Sequence, residues 1–157
     1  MKILATLLSL AVAVSSGTAS SKAPLTDLIE PPEAIRLTTE FGPDQGLPGI
    51  FLVTVKATGT DGTRFYLNSE PNYREPTNLT IAIDKSAIRW LKKKYGPDLG
   101  AQFKGKTIQV SGIARRVPIY LVIPGEKPKM TNGKPPAPLY FQTHVLVYKS
   151  DQIKIAD

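Results

Sequence analysis

An all-β domain with one short helix is the fold class this sequence predicts, and three observations predict it. Between Ile50 and Ile83, apolar and polar residues alternate in three runs bounded by Gly, Asp, Asn and Pro, which is the signature of strands. The period then changes to three or four residues over Asp84 to Tyr95, as in a helix. Two more alternating runs follow, Gly105 to Ala114 and Leu139 to Tyr148. Strand-strand-strand-helix-strand-strand is the order of the OB-fold, a five-stranded barrel with its helix between strands 3 and 4. A closed barrel of that kind is the expectation.

The chain of 157 residues has room for one domain, and its 41% hydrophobic content suffices for a packed core. Fourteen prolines and twelve glycines suit a turn-rich chain. With no cysteine there is no disulfide, thiolate catalysis, Cys-based zinc site or lipobox anchor.

Residues 1–19 read as a secretory signal peptide. Lys2 supplies a basic start, Ile3 to Val14 is apolar apart from Thr6 and Ser9, and Gly17 and Ala19 are placed for cleavage. The apolar run is too short to span a bilayer, and no later stretch approaches that length. The mature chain is therefore expected to be a soluble, secreted or periplasmic monomer. Residues 20–49 read as an N-terminal extension punctuated by Pro24, Pro31, Pro32, Pro43 and Pro48, with Ala34 to Phe41 as a short strand or helix. Residues 50–157 form the expected barrel domain.

In the first strand Phe51, Val53, Val55 and Ala57 alternate with Leu52, Thr54 and Lys56. Asp61-Gly62 marks a hairpin turn into the second strand, where Phe65 and Leu67 alternate with Arg64, Tyr66 and Asn68. Pro71 and Pro76 stiffen the next loop, and Leu79, Ile81 and Ile83 form the third strand. Asp84 is a fitting N-cap for a helix whose Ala87, Ile88, Leu91 and Tyr95 share one face, with Trp90 beside them at the core edge. Lys92, Lys93 and Lys94 suit the negative end of the helix dipole, and Gly96-Pro97 stops the helix. Gly112 in the fourth strand suggests a bulge or bend. The strand is expected to continue past a bend at Pro118, and the long proline-rich connection to the fifth strand spans residues 118–138. On the fifth strand Tyr140, Gln142, His144, Leu146 and Tyr148 share one face.

The runs Phe65-Tyr66-Leu67-Asn68-Ser69-Glu70, Asn72-Tyr73-Arg74 and Asn78-Leu79-Thr80-Ile81 resemble segments of a group of small secreted bacterial OB-fold proteins, described as nucleic-acid-binding-like. Phe103 to Ile108 with Val110 and Gly112 resembles their fourth strand, and Ser150-Asp151-Gln152-Ile153 their ending. The resemblance covers residues 50–155 and departs at 118–138, where a short turn is usual. It implies an OB-fold of nucleic-acid-binding-like character, and no cofactor is expected.

The formal charge is +7, and it is regional. Residues 84–95 carry Lys85, Arg89, Lys92, Lys93 and Lys94 against Asp84, and residues 115–138 carry Arg115, Arg116, Lys127, Lys129 and Lys134 against Glu126. OB-folds bind ligands on strands 2 and 3 and between the loops that join strands 1–2 and 4–5. The candidate ligand-binding residues are accordingly Lys56, Arg64, Tyr66, Asn68, Arg115, Arg116, Lys127, Lys129 and Lys134, since aromatic rings stack on bases while cations neutralise phosphates. Tyr73 and Arg74 are a separate candidate as a presented loop. Alternatively, Tyr73 plugs the barrel mouth and Arg74 pairs with Glu70 or Glu75.

Other chemistry finds little footing. His144 is the only histidine, which cannot build the usual multi-His metal site, and it reads as a surface or rim residue. Asn78-Leu79-Thr80 matches a glycosylation sequon, but its place in a strand argues against use. There is no nucleophile elbow, Walker loop or His-Glu-x-x-His, and only a convergence of Glu70, Arg74, Glu75 and Arg64 offers a nuclease-like site. The sequence thus predicts a non-enzymatic module that recognises single-stranded nucleic acid or acidic polysaccharide. The alternative is a structural or interaction module that docks an envelope protein through an exposed patch at residues 119–123.

Overall fold

The computed structural model describes residues 27–120, 130 and 132–156. The expected signal segment, residues 121–123, Lys127 and Lys129 lie outside these residues. Among the described residues no helix is long and apolar enough to cross a membrane.

The helix forms where the period predicts it. Helix α2 spans Lys85–Tyr95, and the Asp84 side chain caps it by accepting from the Ser86 N–H at 3.0 Å. Ala87 and Leu91 are fully buried, with Ile88 and Tyr95 packed beside them. The Gly96 N–H closes the far end on Lys92 O at 2.9 Å, with Gly96 at a φ of 112° that disfavours a side chain. Asp84→Ala removes the cap and is expected to cost about 1 kcal/mol, read from a urea unfolding curve. A single turn and a half, α3 (Leu99–Phe103), follows and buries Phe103 edge-on to Tyr95, ring centroids 5.2 Å apart.

The strands differ from the expected barrel in number and closure. They are β1 (Leu28–Ile29), β2 (Gly46–Thr54), β3 (Ala57–Thr60), β4 (Arg64–Asn68), β5 (Leu79–Asp84), β6 (Thr107–Ile119), β7 (Tyr140–Val147) and β8 (Ile153–Ile155). They form one mixed eight-stranded sheet in the order β1-β2-β6-β7-β5-β4-β3, with β8 on β6. The β1–β2 and β5–β7 pairs are parallel and the rest antiparallel. The expectation of a five-stranded closed OB-fold barrel is therefore corrected to an open mixed sheet with three helices.

The physical reason lies at Val55-Lys56. The run expected as one strand divides there, because its two halves take different partners. β2 pairs with β6, the Val55 N–H still donates to Lys106 O, and the Lys56 N–H donates instead to Asn68 O on β4. The chain itself links the two sides of the sheet at this step, and no ladder joins β3 to β1 or β2 among the described residues. The short β1 and β8 raise the strand count, and neither carries enough alternation to be recognised alone.

Residues before Ile50 belong to the same sheet. They supply β1, the start of β2 and helix α1 (Pro31–Phe41), whose two prolines sit in the first turn where no N–H is needed. Ala34 and Thr38, one turn apart, are fully buried, and Thr38 Oγ1 lies 3.3 Å from Thr143 Oγ1 on β7. Nor is there a bulge at Gly112. It keeps regular register with Gly49, and a Cβ there would lie 2.8 Å from Val145 Cγ1, so glycine is needed for close approach. Strand β6 runs unbroken through Pro118.

The core occupies one face of the sheet. Phe51, Val53, Leu67, Ile81, Ile83, Ile108, Val110, Val145 and Val147 are all fully buried. Period-two alternation then sends Arg64, Tyr66, Asn68, Thr80, Gln142, His144 and Arg115 to the other face.

Candidate functional site

Register builds the site on that second face. Ala57, Asn68, Thr80, His144 and Arg115 lie side by side in one row across β3, β4, β5, β7 and β6. A groove of about 760 Å³ runs over Ala57, Asn68, Thr80 and His144 of this row. Tyr66, Asn68 and Thr80 form one part of its lining, Tyr140, Gln142 and His144 a second, and Tyr73, Arg74, Ile119, Tyr120 and Leu139 its rim.

A buried hydrogen-bond network holds the floor. Asn78 Oδ1 accepts from the Glu70 N–H at 3.0 Å, and Asn78 Nδ2 donates to Thr80 Oγ1, Asn68 Oδ1 and Tyr73 O. Thr80 Oγ1 donates to Asn68 Oδ1 at 2.9 Å. With its oxygen engaged twice, Asn68 presents its NH₂ to the groove. Asn78 itself is buried, which closes the glycosylation sequon to modification.

A second chain crosses the floor. Tyr73 O can only accept, so Gln142 must turn its NH₂ toward it, at 3.2 Å, and toward the Tyr140 hydroxyl at 3.0 Å. Gln142 Oε1 then faces His144, whose Nε2–H donates to it at 2.8 Å. His144 is left with Nδ1 as an acceptor, and Tyr140 with its hydroxyl proton as a donor. Burial, and secondarily the Arg64 charge, push the His144 pKa down from 6.5 to about 4, so the ring is neutral.

The walls are aromatic. Tyr66 donates to Asp61 Oδ2 at 2.6 Å. Asp61 Oδ1 accepts from Thr63 N, Thr63 Oγ1 and Arg64 N, each at 2.8 Å. The Tyr66 bond first, then these three, hold the Asp61 carboxyl far below the usual carboxylate range. Burial first, and then Asp61, raise the Tyr66 phenol. Tyr73 is 46% exposed with the Arg74 guanidinium 5.0 Å from its ring centre, so it stands on the rim and does not plug the end of the sheet.

Tyr66, Asn68, Tyr73 and Arg74 are the expected residues that share the groove. Apart from Arg74, the expected cations among the described residues do not gather there. Lys56 pairs with Glu70 at 2.9 Å. Arg64 stands opposite Asp84 and lines a separate depression beside α2. Arg115 lies in the His144 row, against Gly46. Arg116, the next residue of the same strand, must point to the opposite face, where it lies 4.7 Å from the centre of the Phe141 ring. Lys134 is exposed in the connecting loop. Of the four residues of the nuclease-like set, Glu70 pairs with Lys56, Glu75 accepts from Asn72, and Arg64 and Arg74 line different depressions.

Thr80, Tyr140, Gln142 and His144 are groove residues that sequence reasoning missed. The polar face of the fifth strand was visible in Tyr140, Gln142 and His144, but nothing local says that this strand lies beside β5. Trp90, expected at the core edge, is instead 52% exposed on the outer face of α2. Of the apolar patch expected at residues 119–123, Ile119 and Tyr120 are half-buried within the groove lining. Among the described residues no cluster of three His, Asp or Glu side chains could hold a metal ion. The chain matches no protein-family model, and comparison with curated proteins finds no similar sequence.

Proposed function

We propose that the chain is a non-enzymatic binding module of the secreted or periplasmic space, and that its groove takes a segment of an acidic glycan. The observation that carries this reading is the pairing of tyrosine faces with fixed polar atoms: Asn68 Nδ2 and the Tyr140 hydroxyl as donors and His144 Nδ1 as an acceptor. A sugar ring offers apolar C–H faces to aromatic rings and a rim of hydroxyls to such groups. Among the described residues Arg74 is the one cation lining the groove, which suits an occasional carboxylate better than a phosphate on every unit. A second reading, a protein-interaction module of the envelope, is favoured by Leu139, which is 66% exposed at the groove rim.

The test is a fluorescence titration with labelled oligogalacturonate and labelled single-stranded DNA at two salt concentrations. The glycan is expected to bind with a shallow salt dependence, losing about threefold between 50 and 200 mM salt for one displaced counterion. Tyr73→Ala and Arg74→Ala should each weaken it about tenfold, as expected for a stacking ring and a charge-assisted contact. Tighter binding of the DNA with a slope of several counterions would turn the reading to nucleic acid. Absence of binding by either polymer at low salt would end it.

A further inference from the structure

We propose that the outer face of α2 docks on an anionic lipid surface, with Trp90 entering the headgroup layer. Lys85, Arg89 and Lys93 follow one another at four-residue intervals along that face, while Ala87 and Leu91 occupy the buried one. Among the described residues no carboxylate pairs with these cations, or with Lys92 and Lys94. Like charges one turn apart weaken a helix. Lys92 to Lys94 gain from the negative end of the dipole, but Lys85 sits at the positive end and Arg89 in the middle, where that gain is absent.

Trp90 adds a second independent feature. Its indole is 52% exposed, with Arg89 and Lys93 each 5.6 Å from the ring centre. A base or sugar that stacks where either cation lies must displace it. Insertion of the ring into headgroups keeps both cations where anionic lipid can meet them. Ser86, one turn before Trp90, donates to the Tyr148 carbonyl at 3.0 Å, which sets the exposed Tyr148 and Lys149 alongside. Two aromatic rings with polar tips beside unpaired cations fit the boundary between headgroups and acyl chains. Repulsion and an exposed indole are both unfavourable in water, and one surface relieves them together.

Trp90 is the only tryptophan, so its emission reports this face alone. The full chain would be mixed with vesicles of phosphatidylglycerol and phosphatidylcholine in about a 1:2 ratio, and with pure phosphatidylcholine vesicles. Cosedimentation with the anionic vesicles only is expected, with a blue shift of Trp90 emission and quenching by lipids brominated in their acyl chains. Lys93→Gln should lower partitioning about fivefold, and Lys85→Gln, Arg89→Gln and Lys93→Gln together about a hundredfold, at about 1 kcal/mol per cation near the surface. All three positions are exposed, and circular dichroism would verify that the variants fold. Cosedimentation with unmoved Trp90 emission would overturn the proposal, since another part of the chain would then hold the lipid. Undiminished binding of the triple variant would also overturn it, as would an emission shift with heparin or an oligonucleotide but none with vesicles.

Discussion

Acidification from about pH 7 to about pH 4.5 is expected to destabilise the wild-type chain by about 2 kcal/mol more than a His144→Gln variant, measured by urea unfolding at both pH values. The imidazole sits on the central strand β7, half-buried between Thr80 and Arg115 in register, and Arg64 adds a repelling charge. Burial first, then Arg64, lower its folded pKa to about 4, while the unfolded chain keeps 6.5. Above 6.5 both states are neutral and the group is without effect. As the pH falls from 6.5 toward 4, the unfolded chain takes up a proton that the folded chain refuses, so stability falls. Below the folded pKa both states are charged and the loss levels off. Asp61 and Asp84 have lowered folded pKa values but unfolded values near 3.8, so their losses fall below this window and are common to both proteins. Equal pH slopes for the two proteins would show that His144 is charged in the folded state.

Asn78→Ala is expected to lower stability by about 3 kcal/mol and to abolish groove binding. The side chain is buried, and it alone supplies the acceptor for the Glu70 N–H. Its loss leaves that N–H unsatisfied, about 1–3 kcal/mol, and removes three donated bonds at about 1 kcal/mol or less each, because their acceptors keep other partners. Thr80 still donates to Asn68, and Gln142 still donates to Tyr73 O. Asn78 binds Tyr73 O within the 70–78 loop and Asn68 and Thr80 on the sheet, so the rim carrying Tyr73 and Arg74 loosens with its loss. Faster hydrogen exchange at the Glu70 amide would localise the effect. A variant with wild-type stability and exchange would show that water takes over the role of the amide.

Half of the site was legible in the residues. Tyr66 and Asn68 fall on the outward parity of their strand, and alternation alone selects them. Alternation also should have separated Arg115 from Arg116, since consecutive strand residues face opposite ways, yet their shared charge suggested one patch. Lys56 was visible as a cation but its pairing with Glu70, fourteen positions away, was not. His144 was visible as a lone imidazole. Its burial comes from Thr80 and Gln142 around it, and that enclosure depends on the parallel β5–β7 pairing.

By itself the sequence determined the alternating strands from Phe51 to Val147, the helix at Asp84 to Tyr95 with its cap and stop, and the turn at Asp61-Gly62. These are local matters of period, capping and backbone preference, which act within a few residues. Only the tertiary structure decided that Val55-Lys56 passes the chain from β6 to β4, which leaves the sheet open where a barrel was expected. It alone also decided that α1 buries Ala34 and Thr38, that Trp90 faces outward, and that residues from four strands of one row meet at the groove. Each of these depends on which distant segment satisfies a backbone N–H or covers an apolar face, and long-range pairing leaves no trace in local periodicity.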